Sequence, residues 1–139
     1  MILLDTNVLS ELMKVSPDAH VIRAVNHFTA QSTYISSITH AEILQGIALL
    51  DEATRKHQLQ HVANKVLDLF EKNTLDFDRQ SSPFYAAIIQ QRTKAGRPID
   101  FPDAQIAAIA LQHDLQLFTR NTKDFELIEG LDLVNPWEL

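Results

Sequence analysis

Apolar positions fall along this chain in short solid runs separated by longer periodic stretches. Ile2-Leu3-Leu4 is apolar without interruption, the pattern of a strand buried on both faces, as in parallel sheets. Short β-prone runs recur at Tyr34–Ser37, Leu75–Phe77, Leu115–Thr119 and Leu131–Val134. Between them the spacing is helical. Val8–Lys14 reads as a short helix, and Ser16-Pro17-Asp18 breaks the chain and starts another, with Val21, Ile22, Val25 and Phe28 on its apolar side. Thr39 and Glu42 stand at capping-box spacing, so a helix is expected to begin there, ahead of Ile43, Leu44 and Ile47. A long helix follows Asp51–Ala53, its buried stripe predicted as Leu59, Val62, Val66, Leu69 and Phe70. Ser81 or Ser82, with Pro83 behind it, opens a helix that buries Phe84, Ala87, Ile88 and Ile89 and stops at Gly96. After an irregular loop, Arg97–Pro102, Asp103 opens a helix apolar from Ala104 to Leu111 apart from Gln105. A helix apolar nearly all round belongs at the centre of its domain. Strands alternating with helices predict an α/β fold, a three-layer α/β/α sandwich around a mostly parallel sheet of about five strands.

Composition narrows this picture. The 139 residues make one domain, 1–139, without internal repeat or linker, and 45% hydrophobic content is enough for a sizeable core. The absence of cysteine removes disulfides and thiolate metal sites. No basic leader precedes an apolar stretch, and no run approaches the ~20 residues that cross a bilayer, so a cytoplasmic protein without membrane contact is expected. The formal charge of -6 opposes a broad basic face for nucleic acid. A polyanion could be handled only if something local reversed the sign.

The acids at the strand-to-helix transitions are the candidates for that reversal. Asp5 ends the first strand, Glu42 lies in the first turn of the expected Thr39 helix, Asp103 begins the apolar helix, and Asp124, near Asn121, follows the fourth strand. In a parallel sheet these transitions share one edge, where open α/β sheets bind ligands. Two carboxylates about 4 Å apart repel by roughly 4 kcal/mol at an effective dielectric of 20. Either some hold protons or a divalent cation joins them. An all-oxygen set favours Mg²⁺ or Mn²⁺, and such an ion suits phosphodiester hydrolysis. Each acid alone also has a plainer reading: Asp5 as a helix cap, Glu42 as the return half of a capping box, Asp103 as a dipole partner, Asp124 and Asn121 as turn residues, Asp100 as a loop residue. The set carries the reading. Of the histidines His20, His27, His40, His57, His61 and His113, only His57 and His61 are at i, i+4, on a polar helix side without an H-E-x-x-H pattern, and they read as solvated surface. Three glycines form neither a P-loop nor a dinucleotide fingerprint, and no G-x-S-x-G supports serine chemistry.

Taken together, Ile2-Leu3-Leu4-Asp5-Thr6-Asn7, Ile38-Thr39-x-Ala41-Glu42-x-x-x-Gly46, Asp103-x-x-Ile106-Ala107-Ala108 and Thr119-Arg120-Asn121-x-x-Asp124-Phe125 resemble the PIN-domain ribonucleases, in order and over the whole length. Among these the chain looks like the VapC/FitB toxins of bacterial toxin–antitoxin pairs, the ending Asn135-Pro136-Trp137 fitting the FitB-like branch. The resemblance implies a Mg²⁺- or Mn²⁺-dependent endoribonuclease acting on tRNA or other structured RNA. It implies metal binding by Asp5, Glu42 and Asp103, the fourth acid being Asp124 because the alternative position is Asn121. Thr6 and Thr119 would support the ligands or the water, and Asn7 would orient Asp5 or start a helix. It further implies a homodimer and a VapB/FitA-like antitoxin that covers the cleft and alone contacts DNA. Three rivals differ in class. A receiver-like phosphoacceptor would need paired acids where Asp5 is followed by Thr6, and a suitably placed lysine where Lys123 falls in a loop. A haloacid-dehalogenase-type phosphatase would need an aspartate at Asn7. A silent interaction protein of the same fold would not need all four acids.

Overall fold

The structure, a computed structural model, describes residues 1–139. Its sheet has five strands, β1 (Ile2–Leu4), β2 (Thr33–Ser36), β3 (Thr74–Leu75), β4 (Gln116–Phe118) and β5 (Leu133–Val134), in the order β3-β2-β1-β4-β5. Every neighbouring pair is parallel, so the sheet is wholly rather than mostly parallel. From β1 the chain winds outward to β2 and β3, then returns to the other side of β1 for β4 and β5. The winding direction therefore reverses between β1 and β4, which places the ligand crevice at their carboxyl ends. The Asp5 amide donates to the Phe118 carbonyl at 2.9 Å and ties these two ends together.

The three residues of β1 are completely buried and alternate between two cores. Ile2 and Leu4 join Val8, Leu9, Ile35, Ile43, Ala63 and Phe118 on one face. Leu3 joins Ile88, Ala107, Leu117 and Phe125 on the other. The solid apolar run follows from this: a strand covered by helices on both sides has no polar face.

Six α-helices cover the sheet: α1 (Thr6–Leu12), α2 (Ala19–Asn26), α3 (Ser37–Ala48), α4 (Ala53–Leu69), α5 (Ser82–Lys94) and α6 (Phe101–Gln112). The first four contribute to the Ile2 core and the last two to the Leu3 core, giving the expected α/β/α layers. Several expectations shift. α1 begins at Thr6, not Val8, because Asp5 itself is the N-cap. α3 begins at Ser37, capped by Ser36, whose hydroxyl accepts from the Thr39 amide at 3.0 Å, so Thr39 and Glu42 form no capping box. α6 begins at Phe101, with Pro102 tolerated in its first turn, so Asp103 is its third residue and the irregular loop is shorter than expected. α4 packs Leu59, Val66 and Phe70 partly buried against the Ile2 core as expected, but its buried line runs through Ala63 and Leu67, and Leu69 is 82% exposed. In α2 and α5, Ile22, Phe84 and Ala87 are exposed; α5 buries Ile88 as expected, packs Ile89 against the core, and buries Arg92 besides. In each case a small or amphipathic residue took the inward position, which hydropathy alone does not rank.

Candidate active site

Asp5 occupies the switch point and is only 5% exposed. One carboxylate oxygen accepts from the Thr6 amide at 2.8 Å, capping α1. The other accepts from the Thr119 hydroxyl at 2.7 Å and from the Asn7 side-chain amide at 3.3 Å. Thr119 follows β4 directly, so this bond crosses the switch point. The oxygen of the Asn7 amide accepts from the Arg120 amide at 3.1 Å, and the Thr119 hydroxyl accepts from the Asn121 amide at 3.1 Å. Capping and site-building are thus both true of Asp5, and Asn7 and Thr119 are its supports.

Glu42 is half-buried on α3, one full turn beyond the cap. Its carboxylate accepts from the Thr6 hydroxyl at 2.7 Å, and that hydroxyl stands 3.0 Å from the hydroxyl of buried Thr39. Ser36 takes the capping role, which leaves the Glu42 side chain free to reach α1. Thr6 and Thr39 therefore set the approach of Glu42 to the Asp5 helix.

Asp103 is half-buried in the first turn of α6. Its carboxyl is pushed up to about 7, first by desolvation and then by the negative charges of Asp5, Asp124, Asp100 and Glu42. Asp5 is also raised, chiefly by burial; the Thr119 and Thr6 bonds oppose this, and Glu42 and Asp124 add to it. Asp5 and Asp103 thus both feel the charges of Glu42 and Asp124, so these acids lie within electrostatic reach of one another. Asp124 and Asn121 are both exposed, Asp124 in the Thr122–Phe125 turn after β4 and Asn121 at the N-cap of that turn, and the charge of Asp124 acts on both Asp5 and Asp103. Asp100 lies at the edge of the site and caps nothing with its side chain.

Arg92 was not among the sequence candidates. It is 4% exposed, with its guanidinium donating to the backbone carbonyls of Arg97 (2.6 Å), Asp124 (2.6 Å) and Glu126 (3.1 Å). It anchors the turn that carries Asp124. An arginine in a helix without an acidic partner carries no sequence signal for such a role, because its acceptors are main-chain atoms.

Residues 2–131 match the family model described as PIN domain. The chain belongs to the PIN-domain family. This PIN domain is 38% identical over 139 residues to the VapC ribonuclease Y4jK of Sinorhizobium fredii, covering 99% of each chain. It superposes on FitAcB from Neisseria gonorrhoeae with a TM-score of 0.91 at 36% identity, covering 100% of both chains. It is similar too to a chain of a toxin–antitoxin complex from Klebsiella pneumoniae, with a TM-score of 0.74 at 32% identity and full coverage of both. With this membership the receiver-like and dehalogenase-like readings lapse.

The donor set of this PIN domain fits a hard divalent cation. It is all oxygen, and neither of the two ion pairs in the chain, Lys14–Glu11 and Arg97–Glu126, touches it. No group of three or more Asp, Glu or His side chains stands close enough together to hold a metal ion in this structure.

Proposed function

We propose that this PIN domain is a metal-dependent endoribonuclease, a toxin of the VapC type held in check by an antitoxin that covers its acidic cleft. The observation that carries the reading is the convergence of Asp5, Glu42, Asp103 and Asp124 at the β1/β4 switch point with no cationic side chain paired to them. Like charges are gathered at such cost where a cation and a phosphodiester are to be bound. The VapC ribonuclease it is similar to supports the activity, and the Klebsiella toxin–antitoxin complex supports the partner. The chain's own acidity suits a basic covering segment.

Asp5, Glu42 and Asp103 would hold Mg²⁺ or Mn²⁺, with Asp124 as the fourth acid. When bound, such an ion supplies a Lewis acid that offsets phosphate charge and eases deprotonation of water. The chain's residues define the rest. Three donors from Thr6, Asn7 and Thr119 fix both oxygens of Asp5, so its position is set by the fold. The Thr6 hydroxyl directs its proton at Glu42 and so orients that carboxylate. The net reaction breaks one P–O bond of the RNA backbone and distributes the elements of water between the two fragments.

The test is cleavage of a total-RNA pool in Mg²⁺ or Mn²⁺ by the wild type, Asp5→Asn and Asp103→Asn. Cleavage by the wild type alone, abolished by EDTA, is expected. Undiminished cleavage in EDTA or in either variant would overturn the mechanism. A folded wild type inert on every RNA class would favour the silent interaction protein.

A further inference from the structure

We propose that Arg120, seated on Trp137, is a phosphate-holding residue that positions the RNA strand beside the acidic cleft. This rests on the ribonuclease reading above. An acidic chain whose reaction centre is four carboxylates needs a fixed cation nearby to orient a polyanion. Three cations are committed elsewhere: Lys14 and Arg97 are in ion pairs, and Arg92 is buried on main-chain carbonyls. Arg120 is exposed and directly follows Thr119, the residue bonded to Asp5.

Its backbone is held on both sides. The Arg120 amide donates to Asn7, which itself touches Asp5, and the Arg120 carbonyl accepts from Asn135 at 3.4 Å. Its guanidinium lies 4.8 Å from the centre of the Trp137 ring. The ring is presented by the short turn Pro136–Glu138, which Asn135 caps through the Trp137 amide at 3.0 Å. Stacking holds a guanidinium by its face and leaves its edge donors free, the arrangement that suits a phosphate. Arg120, Asn121, Thr122 and Lys123 line a cavity of about 340 Å³ that also reaches Asp124, Asn135 and Glu138, with no hydrophobic residue among its walls. The cavity thus joins the acidic site to donors suited to a phosphate. Its chemistry fits the sugar-phosphate backbone, and no aromatic or aliphatic residue lines it to select a base. The class of ligand is a nucleic-acid phosphate next to the scissile one.

The chain holds a single tryptophan, so its fluorescence reports on this stack without labels. The binding probe is a random-sequence, 2′-O-methylated RNA 12-mer, which resists cleavage, titrated in Mg²⁺ at several salt concentrations. Binding to the wild type should change Trp137 emission. Arg120→Ala should weaken binding about tenfold and flatten the log–log salt dependence by about 0.7, the loss of one phosphate contact on a single strand. Arg120→Lys, which keeps charge but not the planar stack, should fall between. In the total-RNA assay Arg120→Ala should raise KM about tenfold with kcat within about twofold, and its thermal stabilisation by Mg²⁺ should match the wild type. No binding by the wild type, or equal binding and equal salt slopes for wild type and Arg120→Ala, would overturn the inference. If RNA is still cleaved in either case, the ribonuclease reading survives alone. If no RNA is cleaved by the wild type, both fall. A change in oligomeric state on gel filtration, with KM and salt slope unmoved, would assign the face to protein contact and overturn it too.

Discussion

At the scale of single residues, the site depends on small hydroxyls as much as on acids. Thr119 is completely buried and donates to Asp5 at 2.7 Å. Thr119→Val keeps the shape and removes a charge-assisted bond, so it should destabilise the fold by about 2 kcal/mol and lower Tm by roughly 4–8 °C. Thr119→Ser should restore most of both stability and cleavage, as read by thermal unfolding and the RNA assay. Asp103 behaves oppositely. It is raised to about 7 because it is desolvated among like charges, so in the ion-free protein its ionisation opposes folding. Asp103→Asn should abolish cleavage yet raise Tm at pH 8 in EDTA, an outcome that a purely structural aspartate would not give.

At the scale of elements, caps and anchors decide where the acids stand. Ser36 is fully buried and caps α3 through the Thr39 amide. Ser36→Ala should cost about 1 kcal/mol in a urea titration, and because Glu42 lies a turn beyond, it should also weaken Mg²⁺ binding. Arg92→Met keeps much of the volume but leaves the carbonyls of Arg97, Asp124 and Glu126 without their donor. Faster hydrogen exchange over residues 122–126 is expected, along with clear loss of stability from those unpaired groups. The same elements show what was legible beforehand. The solid run Ile2–Leu4 and the Asp5 after it were readable because burial on both faces leaves no polar position to blur the signal. The start of α3 was not, because Ser36 and Thr39 are both competent caps and only the strand's length chooses between them. Glu42 was assigned to the site even so, since either start keeps it within reach of the sheet's carboxyl edge. The inward turns of α4 and α5 escaped because Ala63 and Arg92 carry the burial there.

At the scale of the whole molecule, the gathered charge links stability to pH and, on the proposed function, to metal. Asp103 and Asp5 both have raised values in the folded protein, so the folded state holds protons that the unfolded chain has released. The stability contributed by the Asp103 proton is full below the ordinary range near 3.8 and is lost as pH rises towards about 7, and Asp5 contributes in the same direction. The EDTA-treated protein should therefore melt higher at pH 5 than its other groups alone would give, and Asp103→Asn should flatten the difference between pH 5 and pH 8. Mg²⁺ should restore stability at pH 8 and add little at pH 5, where protons compete for the same oxygens.

Because one oxygen of Asp5 starts a helix while the other is clasped from the neighbouring strand, chemistry and scaffold cannot be uncoupled there. Anyone wanting a harmless stand-in for culture or crystallisation should leave that position alone and disarm α6 instead. A lesion at the first strand's tip can fall silent in two ways, by losing a carboxylate of the cleft or by fraying the helix start, and only a folding measurement beside the activity tells them apart.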